Sequence, residues 1–226
     1  MSEGTDFLYP FIESHETDVG ALLADLSRSA RGKAEVSSRL RTLTLDACAA
    51  ELRAAAAAIA ERVDRGQRMF CFGNGGSSTD AASLANLFSR PPSGRPIAAR
   101  ALGEDGAILT ALGNDVGFDL VFTRQLIAHA RRDDIAVGLS TSGSSRNMLN
   151  AFATAADRGL LTIGFAGYNG GEMARSPDVR HCLVVDADSV HRIQETQSAI
   201  GFELWRQVQA RLTRPGARCD TIRGDG

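Results

Sequence analysis

No apolar run in this chain reaches the roughly 20 residues that a membrane-spanning helix requires. The start, MSEGTDFLYP, has neither the basic head nor the apolar stretch of a secretory signal. The expectation is a soluble, cytoplasmic protein. The four cysteines, Cys48, Cys71, Cys182 and Cys219, are scattered. They form no CxxC pair and no Cys/His cluster, so neither a zinc pattern nor a disulfide framework is present. Cys71 and Cys182 lie in apolar runs and read as buried thiols. Positive charge is not in excess: the net charge is −2, and nothing points to nucleic acid. The GxGxxG and GxxxxGK[ST] spacings of dinucleotide and P-loop sites are also missing.

With 226 residues, the chain is long enough for one α/β domain with a sizeable core. Residues 1–35 are mixed and polar. Phe7, Leu8, Phe11 and Ile12 could form one small apolar face, and Leu22, Leu23 and Leu26 another, on one or two short helices. Residues 40–64 contain no glycine and no proline. There Leu45, Cys48, Leu52, Ala55, Ile59 and Val63 recur every three or four residues, which makes an apolar helical stripe. After Gly66, short apolar strands alternate with helices. Strands are expected at 69–72, 97–102, 135–139, 161–166 and 182–186. Helices are expected at 77–88, from Asp105 to a break at Gly113, and at 118–130, 145–158 and 191–212. The alternation predicts a three-layer αβα sandwich with a parallel sheet of about five strands, flavodoxin-like, plus N-terminal helices. The expected divisions are an extension over 1–35, a domain over 36–213 and a disordered tail over 214–226.

Two strand ends carry the chemistry. Cys71-Phe-Gly-Asn74-Gly75-Gly76-Ser77-Ser-Thr opens the second helix of the pattern, and Ser140-Thr141-Ser142-Gly-Ser-Ser145 opens another. The glycines let backbone approach a ligand. The hydroxyls lie at helix starts, where free N–H groups attract anions. Serine, threonine and glycine also serve as ordinary turn and cap residues. Two such loops, each after a buried strand, favour a phosphorylated ligand.

At this point the chain resembles the sugar isomerase (SIS) domain, and within it the bacterial phosphoheptose, or sedoheptulose-7-phosphate, isomerases. The resemblance rests on GNGGSSTDA at 73–81, LTALGND at 109–115, STSGSSRN at 140–147, GYNGGEMA at 167–174 and HRIQE at 191–195. It implies a homotetramer with sites between subunits. It also implies phosphate held by Ser77, Ser140, Thr141, Ser142 and Ser145, with Asn74, Gly75 and Gly76, and sugar contacts from Asp105 and Gln194. The family reaction moves a proton between neighbouring carbons of a ketose and an aldose phosphate, which needs a positioned acid and base. The resemblance puts a histidine at 83, acidic residues at 86 and 87 and a second histidine at 202, several of them able to hold zinc with Gln194. This chain has Ser83, Asn86, Leu87 and Phe202 there. Leucine and phenylalanine carry no polar side-chain atom, so no cofactor is expected although zinc occurs in the family. Phe202 reads as a plug in the former catalytic pocket.

Asp105, His191 and Glu195 are the candidates for a displaced base. The plainer reading makes His191 a helix-start residue and pairs Glu195 with Arg192 or Arg146. His15 and His129 read as exposed, His181 as structural, Trp205 as core, and Arg131 to Asp134 as a solvated turn. The preferred function is phosphosugar binding without standard isomerase chemistry. The alternatives are an active isomerase using displaced residues, and a tetrameric interaction scaffold like the replication-initiator-associating proteins of the same family. Nucleic-acid and membrane partners are not expected.

Overall fold

A computed structural model of the chain describes residues 19–213. The chain divides into two compact units between Arg39 and Leu40, whereas composition suggested 35–36. The apolar residues expected at positions 7–12, His15, Cys219 and the tail fall outside the described residues. The first unit contains the start of one long helix, α1 (Val19–Ala47), on which Leu22, Leu23 and Leu26 are exposed.

The helix expected over 40–64 is two helices. α1 ends at Ala47 and α2 (Ala49–Asp64) follows. Cys48 between them has φ −88° and ψ 1°. One turn earlier Thr44 Oγ1 donates to the Leu40 carbonyl at 2.8 Å, a back-bond of the kind that bends helices.

The second unit holds five parallel strands, β1 (Met69–Gly73), β2 (Ala99–Ala101), β3 (Ile135–Ser140), β4 (Leu161–Gly167) and β5 (His181–Val185), in the order β2-β1-β3-β4-β5. The remaining helices are α3 (Gly76–Ser89), α4 (Gly106–Asp115), α5 (Val121–His129), α6 (Arg146–Asp157) and α7 (Val190–Leu212). Alternate residues along each strand point to opposite faces. Cys71, Val137, Ile163 and Leu183 join Leu52 and Ile59 of α2, Phe88 of α3 and Leu204 of α7 in one core. Phe70, Phe72 and Ala136 join Phe122 of α5 and Phe152 of α6 in the other. The sandwich therefore has its three layers, with α3 and α6 on opposite faces. In the second core Phe72 packs at 5.4 Å on Phe122 and at 5.3 Å on Phe152, ring centre to ring centre. Burying each such ring contributes about 1.5–3 kcal/mol. Phe152 reaches the sheet because residue 138 is glycine: a Cβ there would lie 2.5 Å from its ring.

Three local expectations are corrected. α4 runs on through Gly113 to Asp115, and Phe118–Leu120 is a 3-10 turn before α5. The Arg131–Asp134 turn is not solvated throughout, because Asp134 is 1% exposed. Its carboxylate accepts from the backbone N–H groups of Arg68 (2.8 Å) and Arg131 (2.9 Å) and from Arg68 Nη2 (2.9 Å). It fastens the approach to β1 to the approach to β3.

The sheet order reverses between β1 and β3. Chain leaving those two neighbouring strands goes to opposite faces, which opens a crevice beyond their carboxyl ends, the place where open α/β sheets bind ligands.

Candidate functional site

The first lip of the crevice is the turn from β1 into α3. Gly73 permits it: a Cβ there would lie 2.6 Å from the Ser77 carbonyl oxygen and 2.8 Å from that of Leu139. Gly75 has φ +53° and ψ −126°, which a side chain would strain. Gly76 opens the 14-residue helix α3, whose first-turn N–H groups lack partners within the helix. Ser77, 5% exposed, is its second residue.

The second lip follows β3. Ser140 Oγ accepts from the Gly143 N–H at 3.1 Å and lies 3.4 Å from Ser142 Oγ. Ser140 is buried, Thr141 and Ser145 are half-buried and Ser142 is exposed. Ser145 is the N-cap of α6, yet its hydroxyl makes no capping bond. The GYNGGEMA segment braces this loop from behind. Met173 N donates to the Gly143 carbonyl at 2.8 Å, and Glu172 N to Ser144 Oγ at 3.1 Å. Gly143 has φ +64°, and a Cβ on it would lie 2.3 Å from the Gly170 carbonyl oxygen.

A reciprocal amide pair ties the lips together. Asn74 Nδ2 donates to Asn147 Oδ1 at 2.9 Å, and Asn147 Nδ2 returns a bond to Asn74 Oδ1 at 2.8 Å. Asn147 was not singled out in the sequence. Its signal is faint: an amide just inside α6, in the motif that supplies the hydroxyls.

Beyond the lips, Gln194 on α7 donates through Nε2 to Asp80 Oδ2 at 2.8 Å. It packs so closely on the α3 start that a Cβ on Gly76 would lie 2.6 Å from Nε2. A cleft of about 360 Å³, counting the space at its mouth, opens alongside. Its walls include Ser83, Leu84 and Leu87 of α3, Leu139 of β3, and Gln197, Ser198 and Phe202 of α7. Three of the positions where the resemblance implies catalytic groups thus border one space. Asn86, the fourth, is exposed and not part of the wall. Phe202 lines this cleft, is 50% exposed in the single chain and packs with its ring 5.2 Å from that of Trp205, tilted by 42°. Gln197 also escaped the sequence reading. It is fully buried and donates through Nε2 to the Ser140 carbonyl at 3.2 Å. A glutamine on the stripe of Ile193, Ile200 and Leu204 was the available signal.

Two of the three candidate bases are engaged elsewhere. Asp105 caps α4, its Oδ1 accepting from the Ile108 N–H at 3.0 Å. Glu195 pairs with Arg192 at 2.6 Å, and Arg146 faces Asp119 at 3.7 Å. His191 is exposed in the first turn of α7. None of these lines the cleft. His181 meets Glu51 at 2.8 Å, away from the crevice at the start of β5.

A family model for the SIS domain matches residues 34–167. A phosphoheptose isomerase of Sulfurimonas denitrificans is 48% identical over 131 residues, which span 57% of this chain and 66% of that one. One from Aquifex aeolicus is 36% identical over 177 residues, 76% of this chain and 91% of that one. The solved phosphoheptose isomerase of Neisseria gonorrhoeae superposes with a TM-score of 0.74 at 31% identity, covering 82% of this chain and 98% of that one. With its parallel five-stranded sheet and these relatives, the chain belongs to the SIS domain family, among proteins similar to phosphoheptose isomerases.

Proposed function

We propose that this chain binds a phosphorylated sugar in the crevice between the β1–α3 and β3–α6 loops, without standard zinc-dependent isomerase chemistry. The observation that carries this reading is the Asn74–Asn147 pair, which closes two hydroxyl-bearing loops on one another. A phosphate ester there would accept from Ser77, Ser140, Thr141, Ser142 and Ser145, and from the N–H groups of Gly75, Gly76 and Ser77 at the α3 start. Asn74 holds the geometry, and Gln194, fixed by Asp80, faces the sugar.

The side chains around the cleft support the second half. A base must reach the migrating proton, and Ser83, Leu87 and Phe202 offer none. Zinc is held by three or four N, S or O ligands. Asp80 is the one carboxylate on the cleft wall, and no three His, Cys, Asp or Glu among the described residues converge on a possible metal position. The donor set does not fit zinc. Leu43 and Phe118 are more than half exposed in the single chain, which supports the family's tetramer, with such side chains facing another subunit. The free thiols Cys48, Cys71 and Cys182 support a cytoplasmic setting. Among the described residues no helix is long and apolar enough to cross a membrane.

Titration calorimetry with sedoheptulose 7-phosphate tests the grip. The wild type should bind, and Ser142→Ala should weaken binding about tenfold with its melting temperature unchanged, since Ser142 is exposed. Equal affinity would place the phosphate elsewhere. A second reading, ketose–aldose isomerisation by displaced residues, is favoured by the name that the relatives share. Product formation from sedoheptulose 7-phosphate, with or without zinc, decides for it. Loss of that turnover in His191→Ala or Asp105→Asn would then identify the base.

A further inference from the structure

At the end of the sheet opposite the crevice lies a second cavity, of about 190 Å³. It opens at the foot of β1 and β2, beside the end of α5. The register pairs Phe70 with Arg100, so these side chains leave neighbouring strands on one face. Arg68, just before β1, lays its guanidinium over the Phe70 ring, 5.4 Å from the centre. His129, half-buried, is the last residue of α5, and its carbonyl accepts from Arg68 Nη2 at 2.7 Å. Arg68, Arg100 and His129 therefore border one space, together with Phe70 and the small side chains of Ala98 and Ala99.

The charge in this space is one-sided. No carboxylate is part of its wall. Asp134, which holds Arg68 at 2.9 Å, stands outside it and is already shared with two backbone N–H groups. Arg68 Nε and Nη1 have no hydrogen bond among the described residues, and neither has the Arg100 guanidinium or the His129 imidazole. Cations gathered in a partly sheltered hollow favour an anion. The guanidinium fork matches the paired oxygens of a carboxylate or a phosphate. Arg68 is held in place by Asp134, the His129 carbonyl and the Phe70 ring, so little side-chain freedom remains to be lost on binding. We infer that this cavity binds a small oxyanion, phosphate or carboxylate, through Arg68, Arg100 and His129. The site is separate from the strand-end crevice: the five residues of β1 put about 13 Å between the two. Its volume equals the share of about six water molecules, which suits inorganic phosphate, a dicarboxylate or a three-carbon phosphoester and excludes a nucleotide. The inference does not rest on sugar-phosphate binding in the crevice.

Proton NMR of the full chain tests it through the imidazole C–H resonance of His129, assigned by its absence from His129→Gln. The probes are inorganic phosphate, malonate and 3-phosphoglycerate, each compared with sodium chloride at equal ionic strength. At least one of the three should move the resonance and saturate, and the order of phosphate and malonate identifies the preferred oxyanion. Arg100→Gln should raise the half-saturating concentration roughly tenfold or more, the loss of one charge-assisted contact. Arg100→Lys, which keeps the charge without the fork, should raise it less. Arg100 is exposed on an edge strand, so these variants should fold. Ser142→Ala, which alters the crevice, should leave the value within about twofold. The inference is overturned if none of the three oxyanions exceeds chloride, if Arg100→Gln binds as well as the wild type, or if Ser142→Ala removes the response. None of these outcomes alters the reading of the crevice.

Discussion

Single side chains hold the crevice together, and their removal has calculable effects. Asn74→Ala leaves the amide of Asn147, 2% exposed, without its partner. A buried polar group left so costs about 1–3 kcal/mol. Urea denaturation should show that loss, and sugar-phosphate affinity should fall with it because the lips are no longer tied. Asp134→Ala should cost a similar 2–3 kcal/mol, since two backbone N–H groups and Arg68 lose one acceptor. Arg68 keeps contact with water and with the Phe70 ring, 5.4 Å away, so the full penalty of a stranded buried charge does not apply. The sequence made Ser77 and Ser140 legible because hydroxyls after an apolar strand form a local pattern. Asn147 and Asp134 were not legible. Each acts through a partner more than 60 residues away, and nothing in a neighbouring position announces such a partner.

At the scale of elements, the turn from β1 into α3 leaves no room for a side chain at Gly73. Gly73→Ala would drive a methyl against the Ser77 and Leu139 carbonyl oxygens, forcing the two lips apart. Overpacking of this kind costs about 1–3 kcal/mol. Binding should suffer more than stability, and comparing calorimetric affinity with the denaturation midpoint separates the two. The alternation of strands and helices was readable because β1, β3 and β4 are short, apolar and buried on both faces, a signal that survives without any alignment. The break between α1 and α2 was hidden: Thr44 and Cys48 suit a helix, and only the side-chain bond back to Leu40 shows where it bends. Leu22, Leu23 and Leu26 share helical spacing, and on α1 of the single chain they are exposed.

The whole molecule carries a pH dependence written in three thiols, Cys48 and Cys71, which are buried, and Cys182, which is half-buried. Burial pushes the Cys182 thiol up to about 12 and raises Cys71 and Cys48 as well. Unfolded cysteine titrates near about 8.5, so the fold favours the protonated form. That contribution is complete below about pH 8.5 and drains away as pH climbs toward 12. Urea midpoints should therefore fall through this alkaline window. In Cys182→Ala the fall should be shallower by up to about 1.4 kcal/mol per pH unit, less whatever the thiol's partial exposure removes. Identical slopes would locate the effect elsewhere. The reversal of strand order between β1 and β3 has a consequence of its own. The opening comes from connectivity, while Ser83, Leu87, Ser198 and Phe202 border the cleft alongside it. Residues that build the scaffold, such as Phe72 and Phe152, belong to a separate set. Evolution can therefore trade turnover for recognition here, or the reverse, in a few steps that each leave a folded protein behind.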